Sequence, residues 1–266
     1  MATSLPLILL PPSEGKAPGG DGLPWRRGAL SIDLDAERTR VIRALAAAMK
    51  GDDASRSKLL DVKGKALAAA TAANRAITKA PTRPAIERYT GVLYDALDHR
   101  SLTAAQRRRL DASVVIFSGL WGAVMPADPI PDYKLKMGAA LGPLGKLSTW
   151  WREPLSARLA ELAAGRHVWN LLPKEHALAW DPPGGLEQWT VRFLERRNGA
   201  MTTVSHDNKS LKGALVRYLL ANPAAEPADL AAWKHPAGYR LDKKRTERSG
   251  SLTLLSLVKR RRSLSA

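Results

Sequence analysis

The chain has 266 residues, 45% of them hydrophobic, which supplies a sizeable core and excludes global disorder. Its 42 Lys+Arg against 25 Asp+Glu give a formal net charge of +17, a field that attracts polyanions and nucleic acid in particular, a compositional bias toward Arg being the plainer explanation. Cysteine is absent, which excludes disulfides, thiolate metal sites, iron–sulfur clusters and a cysteine nucleophile, and fits a reducing cytoplasm.

The opening MATSLPLILLPPSEGK has no basic leader, and its apolar run is too short for a signal peptide. Later stretches fall short of the ~20 apolar residues a spanning helix needs, so a cytoplasmic location without membrane contact is expected. Leu5 to Leu10 reads as a fully buried strand stopped by Pro11-Pro12, and residues 13–30 as a Gly/Pro-rich loop. A helix is expected over Asp35 to Met49, with Val41, Ile42 and Leu45 on one face. Residues 56–78 are Ala-rich and helical, interrupted at DVKGK. SVVIF (113–117) is a second buried strand. WWREPLSARLAELAAG is an amphipathic helix closed by Gly165, and HVWNLL (167–172) a third strand. In WTVRFLERRNGAMTTVS, Trp189, Val191 and Phe193 alternate with polar residues, and Asn198-Gly199 supplies a type I′ turn, so a hairpin is expected. A helix over 207–221 ends at Asn222-Pro223, and SLTLLSLV (251–258) is a last strand. Strands interspersed with helices plus one hairpin predict a mixed α/β fold, a single compact domain over 1–258 with a mixed sheet flanked by helices, followed by a basic tail over 259–266.

Four segments carry groups suited to ligand binding. PPSEGK (11–16) presents Ser13, Glu14 and Lys16 at the carboxyl end of a buried strand, where open sheets place ligands; the spacing is not that of a phosphate-binding P-loop. FSGLWGAVMPADPIPDYKLKMG (117–138) follows another strand. Its glycines permit tight turns, and Pro126, Pro129 and Pro131 stiffen a loop that holds Asp128, Tyr133 and Lys134. Trp121, and Trp25 in the first loop, are placed to stack on a base if exposed. The helix over 207–221 buries Leu211, Leu215, Tyr218 and Leu219 and presents Lys209, Lys212, Gly213 and Arg217 elsewhere, with SHDNK before it offering caps and free N–H groups for an anion. LLDVKGKALA (59–68) resembles a helix-hairpin-helix turn, in which Lys63, Gly64 and Lys65 would meet a DNA phosphate, although Val62 stands where the first glycine is usual. Each segment also has a plainer reading as a turn, a wrap or a solvated charged face. His99, His167, His176, His206 and His235 lack metal-binding spacing, so no metal is expected, and no cofactor is expected either.

Taken in order, LILLPPSEGK, RYTGVLYDALD (88–98), IFSGLWGAVMPADPIPDYKLKMG, VWNLLPKEH and SHDNKSLKGALVRYLLAN resemble the YaaA family of peroxide stress proteins over nearly the whole chain. Departures from the family pattern are Trp121 for Tyr, Met125 for Arg, Lys136 for Glu and Pro173 for Ser, while Lys134 and Lys212 keep the charge of Arg positions but not the bidentate fork. The resemblance implies a DNA-binding protein of the oxidative-stress response, associated with recombination, repair and the limiting of free iron, with a positively charged cleft and a helix-hairpin-helix element.

Two functions follow as expectations. The first is a non-catalytic binder of duplex or branched DNA, using Ser13, Lys16, Lys63, Gly64, Lys65, Trp121, Tyr133, Lys134, Lys209, Lys212 and Arg217. The second is an enzyme acting on a nucleotide or flipped base, lyase- or glycosylase-like, with Glu14, Lys16, Asp128, Tyr133 and Lys209 as candidates. Both require PPSEGK, the Ser118–Met137 loop and the Lys209–Arg217 helix to meet at one concave site, and the enzyme needs them in an enclosed pocket rather than along a groove.

Overall fold

A computed structural model describes residues 4–197, 199–204 and 208–259. The first strand, β1 (Leu7–Leu10), consists of four apolar residues that are all buried, as a strand with both faces covered requires. The chain then leaves the sheet for α1 (Asp35–Ala48), α2 (Asp53–Leu60), α3 (Gly64–Arg75), α4 (Val92–Leu97) and α5 (Ala104–Ser113). It returns as β2 (Val114–Ser118) and β3 (Gly122–Val124), crosses through α6 (Arg152–Ala163) to β4 (Val168–Asn170), and forms the hairpin β5 (Gln188–Arg197) and β6 (Ala200–Thr203). Helix α7 (Asn208–Ala221) precedes β7 (Tyr239–Leu241), β8 (Glu247–Ser249) and β9 (Leu252–Lys259).

The nine strands make one mixed sheet in the order β8-β9-β5-β4-β1-β2-β3, with β6 on β5 and β7 on β9. Its central five, β9, β5, β4, β1 and β2, are parallel, and the antiparallel pairs lie at the margins. In register, Ile8 pairs with Val114 on one side and Trp169 on the other. The mixed α/β fold read from the sequence is the fold observed. The hairpin also stands where Asn198-Gly199 was read, with Gly199 at φ 81° and Asn198 outside the described residues.

The break in the Ala-rich stretch is a real helix boundary. Asp61 closes α2 in the left-handed region (φ 54°), Ser57 Oγ donates to the Val62 carbonyl at 2.8 Å, and Gly64 opens α3 at φ 55°. Helices α4 and α5 have no counterpart in the sequence reading. The latter is set by a capping box in which Thr103 and Gln106 exchange side-chain-to-backbone hydrogen bonds. Lys259, assigned to the tail by sequence, is instead the last residue of β9: it pairs with Tyr239 and places its amine 3.1 Å from Glu195. The rest of that tail lies outside the described residues. No helix among the described residues is long and apolar enough to cross a membrane.

Candidate functional site

Because β2, β1 and β4 are adjacent and parallel, the loops that follow Leu10, Ser118 and Asn170 leave from the same sheet edge. These loops, α4 and the first turns of α7 enclose a cavity of about 520 Å3. Ser13, Glu14, Lys16, Tyr133, Lys134, Lys209 and Lys212 all line it, as do Tyr94, Lys136, Glu175, His176 and Asn208. The convergence expected of three distant segments is therefore present, with the β4 loop and α4 as further walls.

Backbone hydrogen bonds stitch the first loop to the segment before α4. Ala17 N–H donates to the Arg88 carbonyl (2.8 Å) and Thr90 N–H to the Gly15 carbonyl (3.1 Å), while the Tyr94 hydroxyl reaches the Pro11 carbonyl at 2.8 Å. The fully buried Arg88 guanidinium donates to the carbonyls of Ala17, Gly19 and Ile130, joining both long loops at one cation.

The second loop doubles back across its own start. A Cβ at Gly119 would sit 2.7 Å from the Leu135 carbonyl oxygen and the Lys136 carbonyl carbon, so only glycine lets the returning chain lie this close. Buried Arg38 fixes the outward arm by donating to the carbonyls of Ile32 (2.6 Å), Trp121 (3.1 Å) and Ala123 (3.0 Å). On the returning arm Tyr133, Leu135 and Met137 are buried while Lys134 and Lys136 are turned outward, the period-two pattern of extended backbone. Asn74 on α3 holds Lys134 by a reciprocal pair of 2.9 Å hydrogen bonds to its backbone N–H and carbonyl. The Tyr133 hydroxyl lies 2.7 Å from both Ser118 Oγ and the Tyr89 hydroxyl, in a buried chain of three hydroxyls.

The charged groups divide into two sets. Glu14 pairs with Lys134 (2.9 Å) and Lys136 (3.3 Å), and Lys136 also reaches Asp61 at 2.6 Å, which ties the α2–α3 turn to the cavity rim. The hydrogen bond from Lys134 holds the Glu14 carboxyl below its usual range, and that with Asp61 raises the Lys136 ammonium. Lys16 and Lys212 have no such partner: no carboxylate among the described residues lies within 4 Å of either amine. Lys16 Nζ donates to the Ser13 carbonyl at 3.2 Å and sits 4.3 Å from the centre of the Tyr133 ring. Lys212, 9% exposed, donates to the Leu171 carbonyl at 2.9 Å, an oxygen left free just past the end of β4. Burial pushes both ammonium groups down to about 8. Burial also pushes His176 down to about 4, so its ring is neutral, and its Nδ1 has no hydrogen-bond partner among the described residues.

The pattern of a known family runs across all of these segments: the family described as peroxide stress protein YaaA matches residues 7–245. The chain belongs to the YaaA family. It is 40% identical over 247 residues to a UPF0246 protein of Streptomyces coelicolor, covering 92% of this chain and 95% of that one. It is also 37% identical over 236 residues to a UPF0246 protein of Corynebacterium efficiens (85% and 91%), and 33% identical over 177 residues to one of Methylibium petroleiphilum (64% and 68%).

Several residues singled out in this YaaA-family sequence lie elsewhere. Trp121 is 0% exposed and packs against Trp25, itself buried, and edge-on to Tyr133, so neither indole is available to stack on a base. Asp128 is 2% exposed and away from the cavity. Its carboxylate accepts from Ser31 N–H (2.9 Å), Ser31 Oγ (2.5 Å) and Met125 N–H (2.8 Å), bracing the loop, so it is not the enzyme candidate expected. Arg217 donates to the Leu97 and Asp98 carbonyls at the end of α4 and does not line the cavity. Gly213 does admit a close backbone, but that backbone is Leu93 of α4, not a phosphate. Lys63, Gly64 and Lys65 are exposed on the α2–α3 turn, outside the cavity lining. His206 and Asp207, read as capping the last helix, lie outside the described residues.

Sequence reasoning missed the contributions of Tyr89, Tyr94, Lys136, Glu175 and His176. A usable signal existed for the last two: they follow the strand HVWNLL, whose carboxyl end shares the ligand-binding edge with the other two strands.

Proposed function

We propose that this YaaA-family protein binds DNA in the peroxide stress response, gripping the phosphate backbone without reading base sequence and admitting a single nucleotide to the cavity. One observation carries the reading: Lys16, Lys134, Lys136, Lys209 and Lys212, drawn from three separate segments, surround one cavity with Glu14 and Glu175 as its acidic lining among the described residues. About 520 Å3 is within the range of small-ligand sites and far too small for a duplex. Duplex would ride on the rim, where Lys209 and the exposed Lys63 and Lys65 add phosphate contacts. Gel shifts over a salt series test this, with the logarithm of affinity falling linearly with log salt and Lys16→Ala, Lys134→Ala and Lys209→Ala each weakening binding in a folded protein. Salt-independent affinity refutes it.

The mixture of carboxylate, hydroxyl and amine groups lining the cavity favours a second reading, an enzyme working on a nucleotide or flipped base in the same cavity. Glu14→Gln separates the two: in a pure binder, loss of this negative charge leaves DNA affinity equal or tighter, whereas in an enzyme it abolishes turnover without abolishing binding.

A further inference from the structure

Five lysines line the cavity, but they are not chemically alike. Lys134 and Lys136 are paired with the carboxylates of Glu14 and Asp61, and Lys209 is exposed. Lys212 is sealed against the Leu171 carbonyl at 2.9 Å. Lys16 alone combines lack of a carboxylate partner, a longer 3.2 Å contact to the Ser13 carbonyl, and an aromatic face, that of Tyr133, on which the amine rests at 4.3 Å. Cation–π attraction to this ring positions the amine while it is protonated and lapses once the proton leaves.

From this placement we propose that Lys16 is a nucleophilic amine that captures aldehyde-bearing DNA, the open-chain sugar of an abasic site, as a reversible imine inside the cavity. The proposal rests on the DNA-binding reading above and assigns that site a covalent chemistry. The Lys16 nitrogen lone pair attacks C1′ of the aldehyde, and the carbonyl π pair moves to oxygen, which takes a proton from nitrogen. The carbinolamine then expels its hydroxyl as water while nitrogen loses its second proton, leaving a C=N bond; water reverses the sequence. Amine plus aldehyde gives imine plus water, with no oxidant or co-reactant. An abasic residue lacks the base that would otherwise fill the cavity, and its phosphates would meet the exposed Lys209 alongside.

The protonation state is favourable. With the ammonium group pushed down to about 8 by burial, about a quarter of Lys16 is neutral at pH 7.5, against roughly one in a thousand for an ordinary lysine. Asp132 and Glu14 oppose that shift, while Lys134 and Arg88 reinforce it.

The test uses the full chain, a duplex with one natural abasic site, a matched duplex with a tetrahydrofuran analogue that has no aldehyde, and sodium borohydride to fix the imine. Wild type should give a borohydride-dependent adduct with the natural site only, and peptide mapping should place it on Lys16. Lys16→Arg keeps the cation but cannot form the imine. It should lower the adduct at least tenfold when compared with wild type at protein concentrations where gel shifts show the tetrahydrofuran duplex saturated by each protein. If circular dichroism shows the arginine variant misfolded, Lys16→Met, of similar length, is assayed in the same way, again at protein concentrations that saturate the duplex. Adduct undiminished in these variants, or mapped to another lysine, overturns the proposal. Absence of adduct while both duplexes bind overturns it and leaves the DNA-binding reading standing; absence of binding to either duplex removes both.

Discussion

Gly213→Ala tests whether the cavity's α4 wall is set by helix packing. Where α7 crosses α4, a Cβ on Gly213 would stand 2.3 Å from the Leu93 carbonyl oxygen, 2.8 Å from Ala96 Cβ and 3.0 Å from the Leu97 nitrogen. Two of these atoms are backbone, so no side-chain rotation relieves the overlap and the helices must part by about 1 Å, which forfeits a quarter to a half of the dispersion attraction of atoms in contact there. Overpacking of this kind costs about 1–3 kcal/mol, and more where backbone is the obstacle. Alanine's better helix propensity returns about 1 kcal/mol. The net is a destabilisation of about 2 kcal/mol, or ~4–8 °C in Tm for a chain of this size. Since α4 carries Val92, Leu93 and Tyr94 of the cavity lining, DNA affinity should fall as well. Thermal and urea melts followed by circular dichroism read the first effect and gel shifts the second. A variant as stable as wild type, or more stable, refutes the reasoning, since that is how a glycine on an open helix face behaves.

Asp128→Asn should destabilise by about 1–3 kcal/mol, because whichever way the amide turns, its NH2 faces a donor that now meets the carboxylate; urea melts check this, and unchanged stability contradicts the bracing role. DNA affinity should fall between pH 7 and 9 as Lys16 and Lys212, both pushed down to about 8, lose their charge; a Lys16→Arg, Lys212→Arg double variant should lose that slope, and a wild-type affinity flat to pH 9 speaks against it. The same shifts give a sign for stability. Between about 8 and the unfolded value of 10.5 the unfolded chain binds more protons than the folded one, so these two lysines make stability rise with pH across that window, as melts at pH 8 and 10 should record. Gly64→Val should lower stability by about 1–2 kcal/mol through left-handed strain, whereas Gly64→Asn, which tolerates φ 55°, should be nearly neutral; equal melts for the two contradict the strain.

The strands that position the cavity were legible because Leu7–Leu10 and residues 114–117 are uninterrupted apolar runs, and parallel neighbours release their loops at a common edge. The hairpin was legible from alternation and its turn. What escaped was the inside of the loops. Their glycines and prolines make residues 119–131 look like an exposed loop, yet Arg38 and Arg88, far away in sequence, and Asp128 from within the loop satisfy its backbone groups, and so Trp121 is sealed in. No local pattern announces a buried arginine whose acceptors are carbonyls of other segments. On α7 the error was one of breadth: a single stripe through Leu211, Leu215 and Leu219 is correct, but Lys212, Gly213, Val216 and Leu220 form a second buried face against α4 and the cavity.

The order of strands has a consequence for synthesis. The partners of strand β1, β2 and β4, follow it in the chain by more than a hundred residues. At ribosomal rates of 5–20 residues per second, the apolar segment Leu7–Leu10 spends roughly 5–20 s without either neighbour. Strand β5 waits likewise for β9, the last strand among the described residues. The nascent chain therefore carries first one and then the other incompletely paired strand, and yield in a heterologous host should fall as growth temperature rises.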